Sequence, residues 1–297
     1  MGMRFHHRHG LKAIASIALA VFAVGCTVQL AYLNLDRLLI RWVDDKIDLS
    51  TEQKTWVRDM LDEKLSWHCG SHLPRYAAML GQFRDDLNQG KITLSSMLDY
   101  RDQITQFGQE LLDVATVPAT ELMASLTDRQ VKNLLQSFDD SNQELVSRLS
   151  EPDIEKRHMQ RADRMERRLA RFMGDLNPEQ RTAIEQWARD YQSTEAHRLA
   201  HAYRWQADFK RALALRHDHP KKFADAMTVL LQPTRGWTAI HRQISDDNQM
   251  RTLQLITAIL NQATPRQTSQ LMRKLEGYAN DFDALSCSAS PQVAQLN

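Results

Sequence analysis

Residues 125–135 read SLTDRQVKNLL, and three further stretches of the chain repeat the opening of this phrase. They are DLSTEQKTWVRDML at 48–61, DLNPEQRTAIEQWA at 175–188 and QATPRQTSQLMRKL at 262–275. In each stretch a residue that caps helices well stands three positions before a glutamine, at the start of an amphipathic run. This spacing is that of a capping box, in which the cap accepts the glutamine's backbone N–H and the glutamine side chain accepts the cap's own N–H. The sequence therefore predicts a helix start at each phrase.

The predicted cap and glutamine pairs are Ser50 with Gln53, Thr127 with Gln130, Asn177 with Gln180, and Thr264 with Gln267. The first phrase recurs as the third, and the second recurs as the fourth, at nearly the same offset along the chain. Offsets this regular indicate a tandem duplication, since repeated supersecondary units produce self-similarity at a fixed period. We predict two helical halves at 33–150 and 151–285. Chance agreement among helices rich in Leu and Gln is the alternative.

The composition favours helices throughout the chain. Only 10 Gly and 8 Pro occur among 297 residues, and 42% of the residues are hydrophobic. Apolar residues recur at helical period from 33 to 283, without a convincing alternating strand. The later helices are predicted at 128–149, 152–173, 178–216, 221–231, 238–261 and 265–283. We expect an all-α fold, a tandem-duplicated helical bundle or cradle with long amphipathic helices. The polar tail at 286–297 is predicted to be disordered.

The first 25 residues have the pattern of an export signal. Three basic residues, Arg4, Arg8 and Lys12, precede a short apolar run at 13–24. That run is too short for a typical membrane span and suits a signal-peptide core. The chain after this segment holds 35 basic and 37 acidic residues, a net charge of −2. Nothing in this balance indicates a nucleic-acid partner.

The end of the segment resembles a bacterial lipoprotein cleavage site. It reads Ala-Val-Gly-Cys and ends at Cys26, with Ala where a Leu is usual. The resemblance implies a lipoprotein signal peptide at 1–25, acylation of Cys26 and a lipidated tether at 26–32. Thr27 follows the cysteine, which implies the periplasmic face of the outer membrane. A general secretion signal with an incidental cysteine is the alternative.

Two further cysteines, Cys69 and Cys287, are a natural pair in an oxidising compartment. We predict a disulfide between them. Two free thiols or an intermolecular bridge are the alternatives.

Sequence motifs of catalysis are not apparent. The chain has no HExxH, no Gly-rich phosphate loop, no GxSxG and no CxxC, so we expect a protein that is not an enzyme and uses no cofactor. Two histidine pairs at i, i+4, which are His68 with His72 and His197 with His201, have the spacing of zinc ligands on one helix face. Ordinary helix histidines are the alternative.

Five arginines follow steps of four and three along one predicted helix. They are Arg157, Arg161, Arg164, Arg168 and Arg171. Their spacing predicts one basic stripe that suits an anionic partner, such as lipid headgroups or acidic protein segments. A solvated helix face is the alternative.

The repeated phrase resembles the Leu-Thr-x-x-Gln motif of the Spy/CpxP group of periplasmic helical proteins. Residues 126–130, Leu-Thr-Asp-Arg-Gln, match it outright, and the other three phrases vary the cap or the Leu. The group comprises ATP-independent chaperones and envelope-stress or metal-responsive regulators with cradle-shaped dimers. The resemblance implies that this chain is a covalent analogue of such a dimer.

The chain also resembles a family of uncharacterised Gram-negative helical lipoproteins. The matching residues are YLNLD at 32–36, Trp67-His68 and LPRYA at 73–77. We therefore expect an outer-membrane-anchored periplasmic lipoprotein that binds unfolded or envelope proteins in the manner of an ATP-independent chaperone. A metal-responsive (zinc) or purely structural envelope protein is the alternative.

Overall fold

The computed structural model describes residues 25–149 and 153–287. Within these ranges the chain forms helices and no strand, which confirms the all-α prediction. The predicted signal peptide lies outside the described residues up to position 24, and so does the predicted tail from 288 onward. The helices are α1 (Gly25–Leu33), α2 (Leu35–Ile47), α3 (Thr51–Ser71), α4 (Leu73–Asn88), α5 (Leu94–Ala124), α6 (Asp128–Leu149), α7 (Ile154–Met173), α8 (Pro178–Asp190), α9 (Glu195–Ala214), α10 (Pro220–Leu230), α11 (Ala239–Asn261) and α12 (Pro265–Leu285).

A helix begins at each of the four repeated phrases. These are α3, α6, α8 and α12, and both hydrogen bonds of the capping box are present at every one. The box at the start of α12, for example, joins Gln267 N to Thr264 Oγ1 at 3.3 Å and Thr264 N to Gln267 Oε1 at 2.9 Å. A local pattern therefore determined these helix starts, because a capping box needs residues only three positions apart.

The predicted single helix at 178–216 is wrong. The structure divides it into α8 and α9, with a non-helical segment at 191–194 between them. Asn248 of α11 is buried, and its side chain stabilises this segment by bonding its backbone. Its Oδ1 accepts the backbone N–H of Gln192 at 3.0 Å, and its Nδ2 donates to the Gln192 carbonyl at 2.7 Å. The sequence of the segment contains neither Gly nor Pro, so only this tertiary contact reveals the break.

Two hydrophobic cores hold the helices together, and each combines residues from both predicted halves. In one core, Ile92 and Met97 pack with Met173, Ile184 and other residues of α7, α8, α11 and α12. In the other core, residues of α2, α3 and α6 pack with Phe209 of α9 and with residues of α10. The pairing is crosswise, since α4 packs along α12 and α6 packs along α9. The two halves therefore interlock, and each completes the core of the other.

A disulfide joins Cys69 to Cys287, with 5.1 Å between their Cα atoms. It links the end of α3 to the chain just after α12. The backbone N–H of Cys287 also donates to the Cys69 carbonyl at 3.3 Å. The pairing predicted from the cysteine count is therefore present.

Candidate functional site: an apolar groove with an acidic rim

The four repeated phrases meet in two pairs. The side-chain amides of Gln53 and Gln130 bond each other, and those of Gln180 and Gln267 do the same. The second glutamine of each pair also donates to a backbone carbonyl. Gln130 Nε2 lies 2.9 Å from the carbonyl oxygen at position 48, and Gln267 Nε2 lies 2.8 Å from the carbonyl oxygen at position 175. The contacts of the first pair therefore recur in the second pair, between residues displaced along the chain by the same offsets as the repeated phrases.

The paired glutamines have a structural role, since they connect the start of one helix to the start of another. Gln130, Gln180 and Gln267 are buried, and Gln53 is partly exposed but bonded to Ser125 as well. A buried amide that makes all its bonds within the protein has none to offer a partner. A binding surface therefore has to lie elsewhere.

An open groove of about 650 Å³ runs between α3 and α5. Its apolar lining comes from Trp56, Met60, Val114, Val117 and Pro118. Trp56 is exposed, and the side chain of Val117 is 63% exposed. Apolar side chains left open to water in a concave surface are typical of a binding site for another molecule.

Pro118 adds a polar feature to this groove. It lies inside α5 and has no amide hydrogen, so the Val114 carbonyl lacks the bond that the helix would normally supply. Both residues line the groove. A backbone acceptor without its intrahelical partner therefore accompanies the apolar lining.

The rim of the groove is acidic. Four carboxylates line it, from Asp59, Glu63, Asp113 and Glu121, and the single basic side chain is that of Lys64. Lys64 Nζ lies 2.7 Å from Glu63 Oε1, which neutralises one of the four. Three negative charges remain beside an apolar surface, an arrangement that favours a partner with both basic and apolar side chains.

Sequence reasoning missed this groove. Trp56 and Met60 fit a core-facing stripe of α3, whereas the structure leaves Trp56 at the surface. The sequence of α5 offers no separate signal, since exposed Ile104 and Leu111 share a helical stripe with buried Phe107.

A second groove, of about 310 Å³, lies between α2 and α6 and is polar throughout. It is lined by residues such as Asp44, Asp45, Asp140 and Glu144, without an apolar side chain. Its charge resembles that of the first groove, but it has no apolar surface to bind a client segment.

His68 of α3 and His72, which lies between α3 and α4, form an aromatic cluster, the first histidine cluster. His68 Nδ1 lies 3.0 Å from the Tyr32 hydroxyl, and His68 Nε2 lies 3.3 Å from the Tyr76 hydroxyl. His72 is buried, and its Nε2 lies 3.1 Å from a Glu110 oxygen without the alignment of a hydrogen bond. Burial, and then the nearby His72, lower the pKa of His68 to about 4. These rings are therefore neutral packing groups at pH 7.

The histidines of α9 form the second histidine cluster with α11. His241 is buried, and its ring lies between Trp237, at 4.0 Å, and His197, at 5.7 Å, with the planes nearly parallel. His201 meets the His241 ring at 6.5 Å and an angle of 60°. Burial first, and the charge of His197 second, lower the pKa of His241. Sequence reasoning missed His241, whose i, i+4 spacing to Trp237 was visible.

Neither histidine pair gains the further ligands that a zinc site needs. Across residues 25–149 and 153–287, no three His, Cys, Asp or Glu side chains are arranged to hold a metal ion. Stacked rings such as His197 and His241 do not direct their nitrogens at a common point. Each pair is instead part of an aromatic cluster.

The predicted arginine stripe is divided by the fold. Arg164, Arg168 and Arg171 are exposed on α7, and Arg157 is half-buried. Arg161 packs over the Tyr191 ring at 4.7 Å from its centroid and donates to the Ala188 carbonyl at 2.6 Å. Burial lowers the pKa of this guanidinium. Arg161 therefore caps the end of α8, and three exposed arginines remain as a basic surface.

Cys26 lies in α1, but its side chain is outside the described part of the molecule. Acylation at this position therefore stays a prediction. Within the described residues, every helix is too short or too polar to cross a bilayer.

Comparison with known proteins gives a family and no activity. The profile of a family of unknown function, DUF6279, matches residues 45–242. This segment contains the groove between α3 and α5 and all the histidines of both histidine clusters. No curated protein matches the chain. No solved structure matches it either. Because the match covers more than half of the sequence, the chain belongs to the DUF6279 family, whose function is unknown.

Proposed function

We propose that this protein is a lipid-anchored periplasmic factor that binds unfolded or nascent envelope proteins without ATP. The groove between α3 and α5 is the proposed client site. Apolar segments of a client contact Trp56, Met60 and Val117, while basic client residues face the acidic rim. The proposed role needs no cofactor and no catalytic residue.

The observation that carries this proposal is the exposed apolar lining beside three unneutralised carboxylates. Burying one client side chain contributes about 1.5–3 kcal/mol. Two or three such contacts give roughly 3–9 kcal/mol before the entropy of association is subtracted, so binding is weaker than micromolar. Weak binding suits a chaperone-like role because the client leaves without an energy source.

Membrane attachment through acylated Cys26 is supported by the basic segment, the short apolar run and the cysteine that ends it. The resemblance of the repeated phrase to the Spy/CpxP motif supports a role in the envelope. The disulfide between Cys69 and Cys287 agrees with an oxidising compartment. We place the protein on the periplasmic face of the outer membrane.

The test follows light scattering of an unfolding client mixed with residues 27–297, without lipid or ATP. We expect suppressed scattering, and we expect Val117→Asp to abolish the suppression because it adds a charge to the groove lining. Ile104→Asp is the matched control, since Ile104 is 57% exposed on the same helix but does not line the groove.

Charge is tested separately with Asp113→Lys, which should weaken suppression of basic clients more than that of acidic ones. Asp140→Lys, in the polar groove, should leave both unchanged. Unaltered scattering across several clients would remove the chaperone role. Equal effects of Val117→Asp and Ile104→Asp would show that the groove is not the site.

A further inference from the structure

The first helix has one face held by the protein and an opposite face left open. Val28 is buried, Gln29 Nε2 donates to Asp281 Oδ1 of α12 at 3.0 Å, and Tyr32 bonds His68 of α3. These contacts fix the rotation of α1 against the body. Any surface on its other side therefore has a defined direction.

Two leucines occupy that other side. The side chain of Leu30 is 61% exposed and that of Leu33 is 69% exposed. At 100° per residue, both positions lie nearly opposite Val28. A short helix that turns its largest apolar side chains towards water indicates a missing apolar contact.

The same face contains the position of the proposed acylation. Position 26 precedes Leu30 by four residues and Leu33 by seven, spacings that share one helix face. Acyl chains attached at position 26 would therefore bring the exposed leucines next to the bilayer. The two observations are independent, because one comes from the cleavage motif and the other from burial.

The second helix, which is separated from α1 by one residue, has exposed apolar and basic side chains of its own. Leu38 is 52% exposed, and Arg37 and Arg41 are exposed beside it. Leucines next to arginines match the boundary of a bilayer, where apolar side chains reach the acyl region and guanidinium groups meet phosphates.

We propose that Leu30, Leu33, Leu38, Arg37 and Arg41 form a membrane-contact face that lays the protein on a leaflet containing anionic phospholipids. This inference rests on the proposed membrane location, but the contact itself is non-covalent. With α1 fixed against α3 and α12, the contact sets the orientation of the whole helical body. The acyl anchor alone, attached at one point, leaves the body free to tilt.

The experiment uses mature residues 26–297 with Cys26→Ser, so that binding does not depend on acylation. Co-sedimentation is measured with vesicles of phosphatidylcholine containing about one-third phosphatidylglycerol, and with pure phosphatidylcholine, at low salt. We expect binding to the mixed vesicles that weakens as salt increases.

Leu30→Asn, Leu33→Asn and Leu38→Asn together should lower the partition coefficient at least about tenfold, since each leucine loses apolar burial. Arg37→Gln with Arg41→Gln should remove the preference for the anionic vesicles. A matched control replaces three exposed apolar residues elsewhere, by Ile104→Asn, Ile154→Asn and Ile240→Asn, and should bind as before. All replaced leucines are more than half exposed, and circular dichroism verifies that each variant is folded.

Absence of binding by the Cys26→Ser protein would overturn the inference, as would equal binding by the leucine variant and the control variant. A dimer in solution that the leucine variant abolishes, without vesicle binding, would instead assign the face to a second copy. Intact mass of the full chain after export tests acylation separately. A missing acyl group would remove the anchor while the vesicle result still decides the face.

Discussion

Replacing Gln267 by leucine should destabilise the protein more than any exposed substitution. Its Nε2 donates to the Asp175 carbonyl and to Gln180 Oε1, both at 2.8 Å. Its Oε1 accepts the backbone N–H of Thr264 at 2.9 Å and the amide of Gln180 at 3.2 Å. One buried side chain therefore completes a helix cap and joins two segments that are distant in sequence.

The magnitude follows from the groups that leucine leaves without a partner. A buried polar group without a hydrogen bond costs about 1–3 kcal/mol. The Gln180 Nε2 is such a group, whereas the N–H of exposed Thr264 and the carbonyl of exposed Asp175 each regain a bond from water. With one group at that cost, we expect the free energy of unfolding to fall by about 1 to about 3 kcal/mol.

The assay is equilibrium unfolding in urea, followed by circular dichroism. Gln53→Leu is the matched control, because Gln53 belongs to the other glutamine pair and is partly exposed, and we expect it to cost about 1 kcal/mol. The double change Gln180→Leu and Gln267→Leu should cost less than the sum of the two single changes, because they share one bond pair. A loss under about 1 kcal/mol for Gln267→Leu, or strict additivity of the pair, would refute the reasoning.

Three further predictions concern the disulfide, the histidines and the arginine stripe. Cys69→Ser with Cys287→Ser should lower the free energy of unfolding by up to about 5 kcal/mol, since the bridge closes a loop with a separation of 218 residues. Urea unfolding with and without reductant measures this change. Reductant should destabilise the natural chain and should not affect the variant. The pKa of His68 is lowered to about 4 in the folded protein, so the unfolded chain takes up this proton first as the pH falls. We expect the free energy of unfolding to decrease by about 3 kcal/mol as the pH falls from 6.5 to 4. Unfolding at several pH values measures this decrease, and a His68→Gln variant with an unchanged pH dependence would contradict the prediction. Arg161→Ala should lower the free energy of unfolding by about 1–3 kcal/mol, because it loses a hydrogen bond and a ring contact. Arg168→Ala, at an exposed position of the same helix, should change it by no more than about 0.5 kcal/mol. Similar thermal unfolding of the two variants would contradict the contacts assigned to Arg161.

The residues that interact within one helical turn were predictable from the sequence. Each capping box joins a cap to a glutamine three positions later, and the structure contains the box at Thr264 as it does at Ser50. The low Gly and Pro content and the apolar period predicted an all-α fold for the same local reason. The pairing of Cys69 with Cys287 followed from their number and the expected compartment rather than from geometry.

Contacts between distant segments were beyond the sequence. The break between α8 and α9 depends on Asn248, which bonds a backbone 56 residues away. The groove depends on how α5 lies beside α3, and no local pattern records that arrangement.

By itself, then, the sequence determined where the four helices with capping boxes begin, that the chain is all-α, and that its phrases recur at two fixed offsets. Only the tertiary structure decided that these phrases meet as glutamine pairs, that each core combines helices of both halves, and which apolar residues stay exposed. Capping and helical period are short-range effects that any isolated segment expresses. Which apolar stripe is buried depends on the partner it meets, and a stripe such as that of Trp56 or Val117 has the same pattern whether it faces a core or a client.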